Sequence, residues 1–204
     1  LNVIQSSGQA ARDILFIQGA GPEVHDTWDV HLVEGLRREL GPSYEVRYPR
    51  MPDEADPGVR TWGPVIAREL AALRPGAVAA GHSVGGTLLL RTLAETPTPS
   101  LAGIVLIAAP FVGDGGWQTE ELAFPDDLAA RLPAGASVLL YHGDADEEVP
   151  AAHVERYAAL IPNARVRRLP GRDHQLNNDL SEVARDIRGL PTGLPPLDEP
   201  AERR

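Results

Sequence analysis

The order of apolar segments predicts an open, doubly wound α/β fold: a mostly parallel sheet of about six strands with helices on both faces. Three observations lead there. Short apolar runs alternate with longer amphipathic stretches along nearly the whole chain. Several of the runs are apolar at successive positions, as strands covered on both faces require. Gly or Pro punctuates most junctions between the two patterns.

The elements follow in order. Ile14–Gln18 is the first predicted strand, and Gly19-Ala20-Gly21 follows it. Trp28–Leu40 is a helix with Trp28, Leu32, Leu36 and Leu40 on one stripe, stopped by Gly41-Pro42. Tyr44–Tyr48 is a strand, and the helix Trp62–Leu73 ends at Pro75-Gly76. Ala77–Ala80 is a short strand with the helix Val84–Leu93 directly behind it. Gly103–Ala108 is a strand, and the interval Phe111–Ala136 has room for one short helix, placed at Glu120–Leu132. Ser137–Tyr141 and Arg165–Leu169 are strands, with helices at Ala151–Leu160 and Asp179–Ile187. Right-handed crossovers would bring the strands into one parallel sheet.

A chain of 204 residues, 43% hydrophobic, can bury a sizeable core in one domain, taken as residues 1–190. Residues 191–204 contain four prolines and many charges and are expected to extend outside it. The net charge of −10 argues against a nucleic-acid partner. The longest apolar run, Leu101–Val112, is too short for a membrane span of about 20 residues. The first residues lack a basic-then-apolar export pattern, so a cytoplasmic protein is expected. There is no Cys, which excludes disulfides, thiolate metal sites and a Cys nucleophile. Every basic residue is Arg, which removes Schiff-base chemistry and the Lys of a phosphate-binding loop. The sequence leaves the oligomeric state open.

Gly81-His82-Ser83-Val84-Gly85 carries the chemistry. The pattern G-x-S-x-G between a strand and a helix makes a sharp turn that lifts the Ser hydroxyl above the sheet, and its glycines let strand and helix pass closely. A hydroxyl needs a base to take its proton. His174 follows the last predicted strand, at the sheet edge to which Ser83 also points, and is the candidate base. His82 adjoins the nucleophile and should point elsewhere; His25 and His31 flank the first connection, His142 ends a strand, and His153 is expected on an exposed helix face. The base needs a carboxylate partner, and the segment Tyr141–Pro150 offers Asp144 and Asp146 at the correct edge. Asp146 is preferred, with Asp114, shortly after the fourth strand, in reserve. The same acids superficially resemble a calcium loop, but Val149-Pro150 occupies the turn and a strand precedes it, so no metal is expected. The backbone N–H groups of Val84 and Ala20 are the candidate oxyanion donors. Trp117, Leu122 and Phe124, the apolar residues of the interval before the fifth strand, are expected to border an acyl pocket or else to anchor that segment to the core.

The GHSVGG turn, the HGDADEEVP loop and the terminal His174, within Ile14 to about Leu190, resemble the α/β-hydrolase superfamily. The small size and the segment His174-Gln175-Leu176-Asn177 are similar to compact serine hydrolases related to the retinoblastoma-binding hydrolase and its bacterial relatives. The resemblance implies a minimal cap, a Ser-Asp-His chain order, and an acid three residues before the Val-Pro pair, which is Asp146. It implies hydrolysis of a small-molecule acyl substrate, an ester or related bond, without a cofactor. Many members carry His where this chain has Gln18. Two other readings compete: a non-catalytic binding module on the same fold, and a dinucleotide-binding oxidoreductase built on Gly19-Ala20-Gly21. The latter lacks the third glycine, since Val24 stands there, and lacks an acid closing the second strand.

Overall fold

The computed structural model describes residues 11–119 and 122–191; the tail from residue 192 onward lies outside the described residues. Six strands form one wholly parallel sheet: β1 (Arg12–Ile17), β2 (Tyr44–Arg47), β3 (Ala77–His82), β4 (Leu101–Ile107), β5 (Ser137–Gly143) and β6 (Arg165–Leu169), in the order β2-β1-β3-β4-β5-β6. The helices are α1 (Val24–Thr27), α2 (Asp29–Leu40), α3 (Val59–Ala71), α4 (Ser83–Glu95), α5 (Leu128–Arg131), α6 (Ala152–Leu160) and α7 (Ser181–Arg188). No helix among the described residues is long and apolar enough to cross a membrane.

The alternation of side chains along each strand divides the core into two layers. Leu15, Ile17, Ala79, Ile104, Leu106 and Leu140 face one side, where Trp62, Ile66 and Leu70 of α3, Leu89 and Leu93 of α4 and Tyr157 of α6 cover them. Ile14, Phe16, Val78, Val105, Ile107 and Tyr141 face the other, under Leu32, Val33 and Leu36 of α2 and Val183 and Ile187 of α7. Each central strand is therefore apolar on both faces, the pattern that the sequence shows.

Several boundaries shift by one to three residues, α3 starting at Val59 rather than Trp62 and β4 at Leu101 rather than Gly103, and two departures bear on side chains that the sequence singles out. The helix placed at Glu120–Leu132 is reduced to the single turn Leu128–Arg131, and residues 120 and 121 lie outside the described residues. Pro125 cannot donate to a preceding turn, and the chain restarts after it, with Leu128 N–H donating to the Pro125 carbonyl at 3.0 Å. The stripe assigned to the first long helix begins one residue too early. Trp28 precedes α2 and is 55% exposed, whereas Leu32, Leu36 and Leu40 are buried as expected.

One buried carboxylate ties the edge of the sheet together. Asp13 on β1 is 1% exposed and is held by Arg74, through its backbone N–H at 3.0 Å and its guanidinium, and by Arg47 Nη2 at 3.2 Å. Burial pushes the carboxyl up, but the two guanidinium groups outweigh it and hold it below its ordinary value. A depressed carboxyl contributes stability that is complete above its unfolded pKa and is lost as acid protonates it. Asp13→Asn should therefore cost about 2 kcal/mol at pH 7, at the lower end for a charged hydrogen-bonded group because both arginines can rehydrate. Urea unfolding should show that cost shrinking toward pH 3; an equal cost at both pH values would mean that charge is not what Asp13 supplies.

Candidate active site

The chain leaves β1 toward β2 on one side and leaves β3 toward β4 on the other. The crevice outside the carboxyl ends of β1 and β3 is thus the switch point of the sheet, where such folds bind ligands. The loop Gln18–Gly21 after β1 and Ser83 after β3 both open onto it. The loops after β5 and β6 add Asp146, Glu148 and His174 at the same edge.

Ser83 begins α4 with φ 50°, in the left-handed region that non-glycine residues rarely occupy. Glycines on both sides permit the turn. A Cβ on Gly85 would collide with the Gln18 carbonyl, and one on Gly81 would come within 2.6 Å of the Gly86 Cα. The Val84 N–H lies in the first turn of α4, ahead of the helix's own i→i−4 ladder. The Ala20 N–H has no backbone acceptor among the described residues. The positive end of the 13-residue α4 points toward Ser83.

His174 Nδ1 lies 2.9 Å from Asp146 Oδ2. The other oxygen, Oδ1, accepts the N–H groups of Glu148 and Val149, each at 2.9 Å. The Asp146 side chain is wholly buried. Burial raises its pKa, but the hydrogen bonds from His174 and the two backbone amides prevail and leave it lowered, so it stays ionised at neutral pH. Asp144 is exposed and accepts the Gly171 N–H at 2.5 Å, and Asp114 is exposed in the turn after Val112. Of the three acids considered, Asp146 alone reaches the His174 ring. His142 comes within 3.7 Å of Asp146, but its Nε2–H donates to the Val149 carbonyl at 2.9 Å.

The loop that carries His174 is itself constrained. Leu176, Asn177 and Asn178 have φ of 52°, 54° and 56°, three successive left-handed residues that no glycine eases. Asp173 and Asn177 clasp each other, the Asp173 N–H to Asn177 Oδ1 at 2.9 Å and the Asn177 N–H to Asp173 Oδ1 at 2.6 Å. Arg172 donates to the Leu176 carbonyl at 3.0 Å and pairs with Asp179, and the Leu176 side chain is buried. His174 Nε2 points toward Glu148, whose Oε2 lies 3.8 Å away. No hydrogen bond joins Ser83 to His174 among the described residues; such contacts often close only around a bound substrate.

A cavity of about 170 Å³ brings these groups together, with Gly19, Ala20, Ser83, His174, Glu148 and Trp28 in its wall. Trp117, Leu122 and Phe124 are not part of that wall. Leu122 and Phe124 pack on the core, with Phe124 at 5.6 Å from Tyr157, and Trp117 meets the ring of His153 at 6.1 Å. They anchor their segment, and Trp28 takes the exposed aromatic position at the cavity. His153 is buried, contrary to its expected exposure, and accepts the Phe111 N–H at 2.9 Å.

Sequence reasoning missed one residue and named another without its contacts. Asp29, at the start of α2, accepts the Gly19 N–H at 2.6 Å and meets the ring of His82. Its carboxylate and that of Glu148 line the same cavity as Gly19 and Ala20. Gln18, in place of the commoner His, is buried and accepts the Met51 N–H at 3.0 Å, so it braces the Gly19–Gly21 loop from behind.

The order of the strands, the turn at Ser83 and the switch-point crevice define the α/β-hydrolase fold. No protein-family profile and no curated protein sequence matches the chain. Among solved structures it is similar to the esterase PE8, with a TM-score of 0.69 at 22% identity over 90% of this chain and 94% of that one. It is also similar to the ydeN gene product from B. subtilis, with a TM-score of 0.68 at 16% identity over 88% and 100%. A meta-cleavage product hydrolase from Pseudomonas fluorescens matches with a TM-score of 0.64 at 17% identity over 88% and 89%.

Proposed function

We propose that the protein is a serine hydrolase that cleaves a small ester or related acyl bond through an acyl-enzyme intermediate. The contact between His174 Nδ1 and Asp146 at 2.9 Å, in the same crevice as the left-handed Ser83, carries the reading. Asp146 accepts a hydrogen bond from Nδ1–H, which holds the proton on Nδ1 and leaves Nε2 as the basic nitrogen. His174 Nε2 takes the proton of Ser83 Oγ as that oxygen attacks the acyl carbon. The charge that develops on the carbonyl oxygen is met by the N–H groups of Ala20 and Val84 and by the end of α4. Collapse expels the alcohol, which takes the proton back from His174. Water, activated by the same nitrogen, then frees the acid and restores Ser83. Asp146 remains ionised throughout. The short, compact chain is in keeping with the small serine hydrolases related to the retinoblastoma-binding hydrolase.

The size of the cavity limits the acyl group. Among the described residues, the segment Phe111–Ala136 contributes a bridge between Val112 and Trp117 and the single turn α5, with Leu122, Phe124 and Leu128 turned into the core and none of them in the cavity wall. A space of about 170 Å³ admits a few carbons and leaves a long chain in water. Among p-nitrophenyl esters, kcat/KM should be highest from acetyl to butyryl and fall for longer chains, with no activation at a lipid interface. A steady rise toward palmitoyl, or a jump above the critical micelle concentration, would contradict it.

A further inference from the structure

Asp29 and His82 take no part in the proton transfers above, yet they form a buried ionisable pair in the wall of the cavity. The Asp29 side chain is fully buried and that of His82 is 2% exposed. His82 Nδ1 lies 3.0 Å from Asp29 Oδ2, and 2.9 Å from Oδ1 without hydrogen-bond alignment. On the far side of the ring, Nε2 is 3.1 Å from the carbonyl oxygen of His174. Asp29 Oδ2 also accepts the Gly19 N–H. One pair therefore touches three segments: the oxyanion loop at Gly19, the nucleophile turn at His82 and the base's loop at His174. The packing is close, since a Cβ on Gly19 would lie 3.1 Å from His82 Nδ1 and 3.2 Å from the Ser83 Cβ.

The partners define the proton count. A carbonyl only accepts, so Nε2 carries a proton. Asp29 Oδ2 already accepts the Gly19 N–H and faces Nδ1 as an acceptor, so Nδ1 carries one as well, and the ring is an imidazolium. The groups facing it are the Asp29 carboxylate, the His174 ring at 4.8 Å between centroids, and the more distant Asp146 carboxylate. Burial by itself would discharge His82, but Asp29, the His174 carbonyl and Asp146 overcome it and hold its pKa above the ordinary value. Two buried charges are a poor way to gain stability compared with apolar packing, which points to a role in geometry.

We propose that Asp29 and His82 are positioning residues that act as one charged unit, holding the Ala20 N–H and the His174 backbone in register with Ser83. The inference rests on the hydrolase reading, and its test separates the two. Fluorophosphonate labelling of Ser83 in the unaltered protein reports on the hydrolase reading by itself. Histidine 15N spectra of the same protein report on the pair: His82 should show both ring nitrogens protonated at pH 8, and Asp29→Asn should leave the ring with a single proton. With a short-chain ester, Asp29→Asn and His82→Gln should each lower kcat roughly 10- to 100-fold and change KM by less than about threefold. The double variant should be no worse than the weaker single one, because the two residues work as a unit. A neutral His82 ring at pH 8 in the unaltered protein would overturn the proposal, and that measurement stands even if a variant fails to fold. Unchanged kcat, a loss confined to KM, or losses that multiply in the double variant would overturn it equally.

Discussion

Ser83→Ala should lower kcat by about 10³- to 10⁶-fold while leaving the fold and the binding of short esters nearly intact. The change removes one oxygen at a residue that is 9% exposed and whose hydroxyl makes no hydrogen bond among the described residues, so no buried partner is left stranded. The φ of 50° is a strain that Ala bears no more easily than Ser, so stability should stay within about 1 kcal/mol. The residual rate would come from the N–H groups of Ala20 and Val84 and from binding, which the substitution does not touch. A fluorophosphonate should add one phosphonyl group to the unaltered protein, at Ser83, and none to the variant. Equal labelling of the two proteins would remove Ser83 from the mechanism and return the chain to a binding role on a hydrolase scaffold.

What the sequence revealed and what it hid have separate physical causes. The strands were legible because a sheet covered on both faces needs apolar residues at successive positions, and Ile14–Ile17 and Ile104–Ile107 have them. Ser83 and the loops of Asp146 and His174 were legible because a turn between strand and helix, and loops at one sheet edge, are fixed by local order in the chain. Residues defined by distant contacts were not. Asp29 opens a helix, where an acid is unremarkable, and its partner His82 stands 53 residues away. His153 sits on a helix whose periodicity shows no strong face, and burial came from the segment around Phe111. The apolar residues Leu122, Phe124, Leu128 and Leu132 are spaced as a helix would space them, but Pro125 interrupts the backbone, and the side chains reach the core from irregular chain. The left-handed run Leu176–Asn178 has no glycine to announce it; the two Asn residues, which tolerate that conformation better than most, are its only trace.

Asp146→Asn should cost about 10⁴-fold in kcat near neutral pH, because it reverses the tautomer of the base. The reason lies in what the acid already holds. Oδ1 accepts the N–H groups of Glu148 and Val149, and an Asn side chain would keep its carbonyl oxygen there, since its NH₂ group cannot accept from those amides. The NH₂ group is then forced toward His174 Nδ1, 2.9 Å from the position of Oδ2. A donor facing Nδ1 makes that nitrogen the acceptor, so the proton moves to Nε2, the atom that should take it from Ser83. Shape and packing change little, and the melting temperature should fall by only a few degrees. Asp144→Asn is the matched control: its carboxylate is exposed and only accepts the Gly171 N–H, a bond that an amide oxygen can keep, so kcat should stay within about threefold. Asp114→Asn should be neutral, since that residue is exposed and the His174 ring takes Asp146 as its carboxylate partner. Steady-state kinetics of the three variants with one short ester decide the matter. If Asp144→Asn or Asp114→Asn is the damaging change, Asp146 does not orient the base; if all three are mild, His174 works without a carboxylate partner.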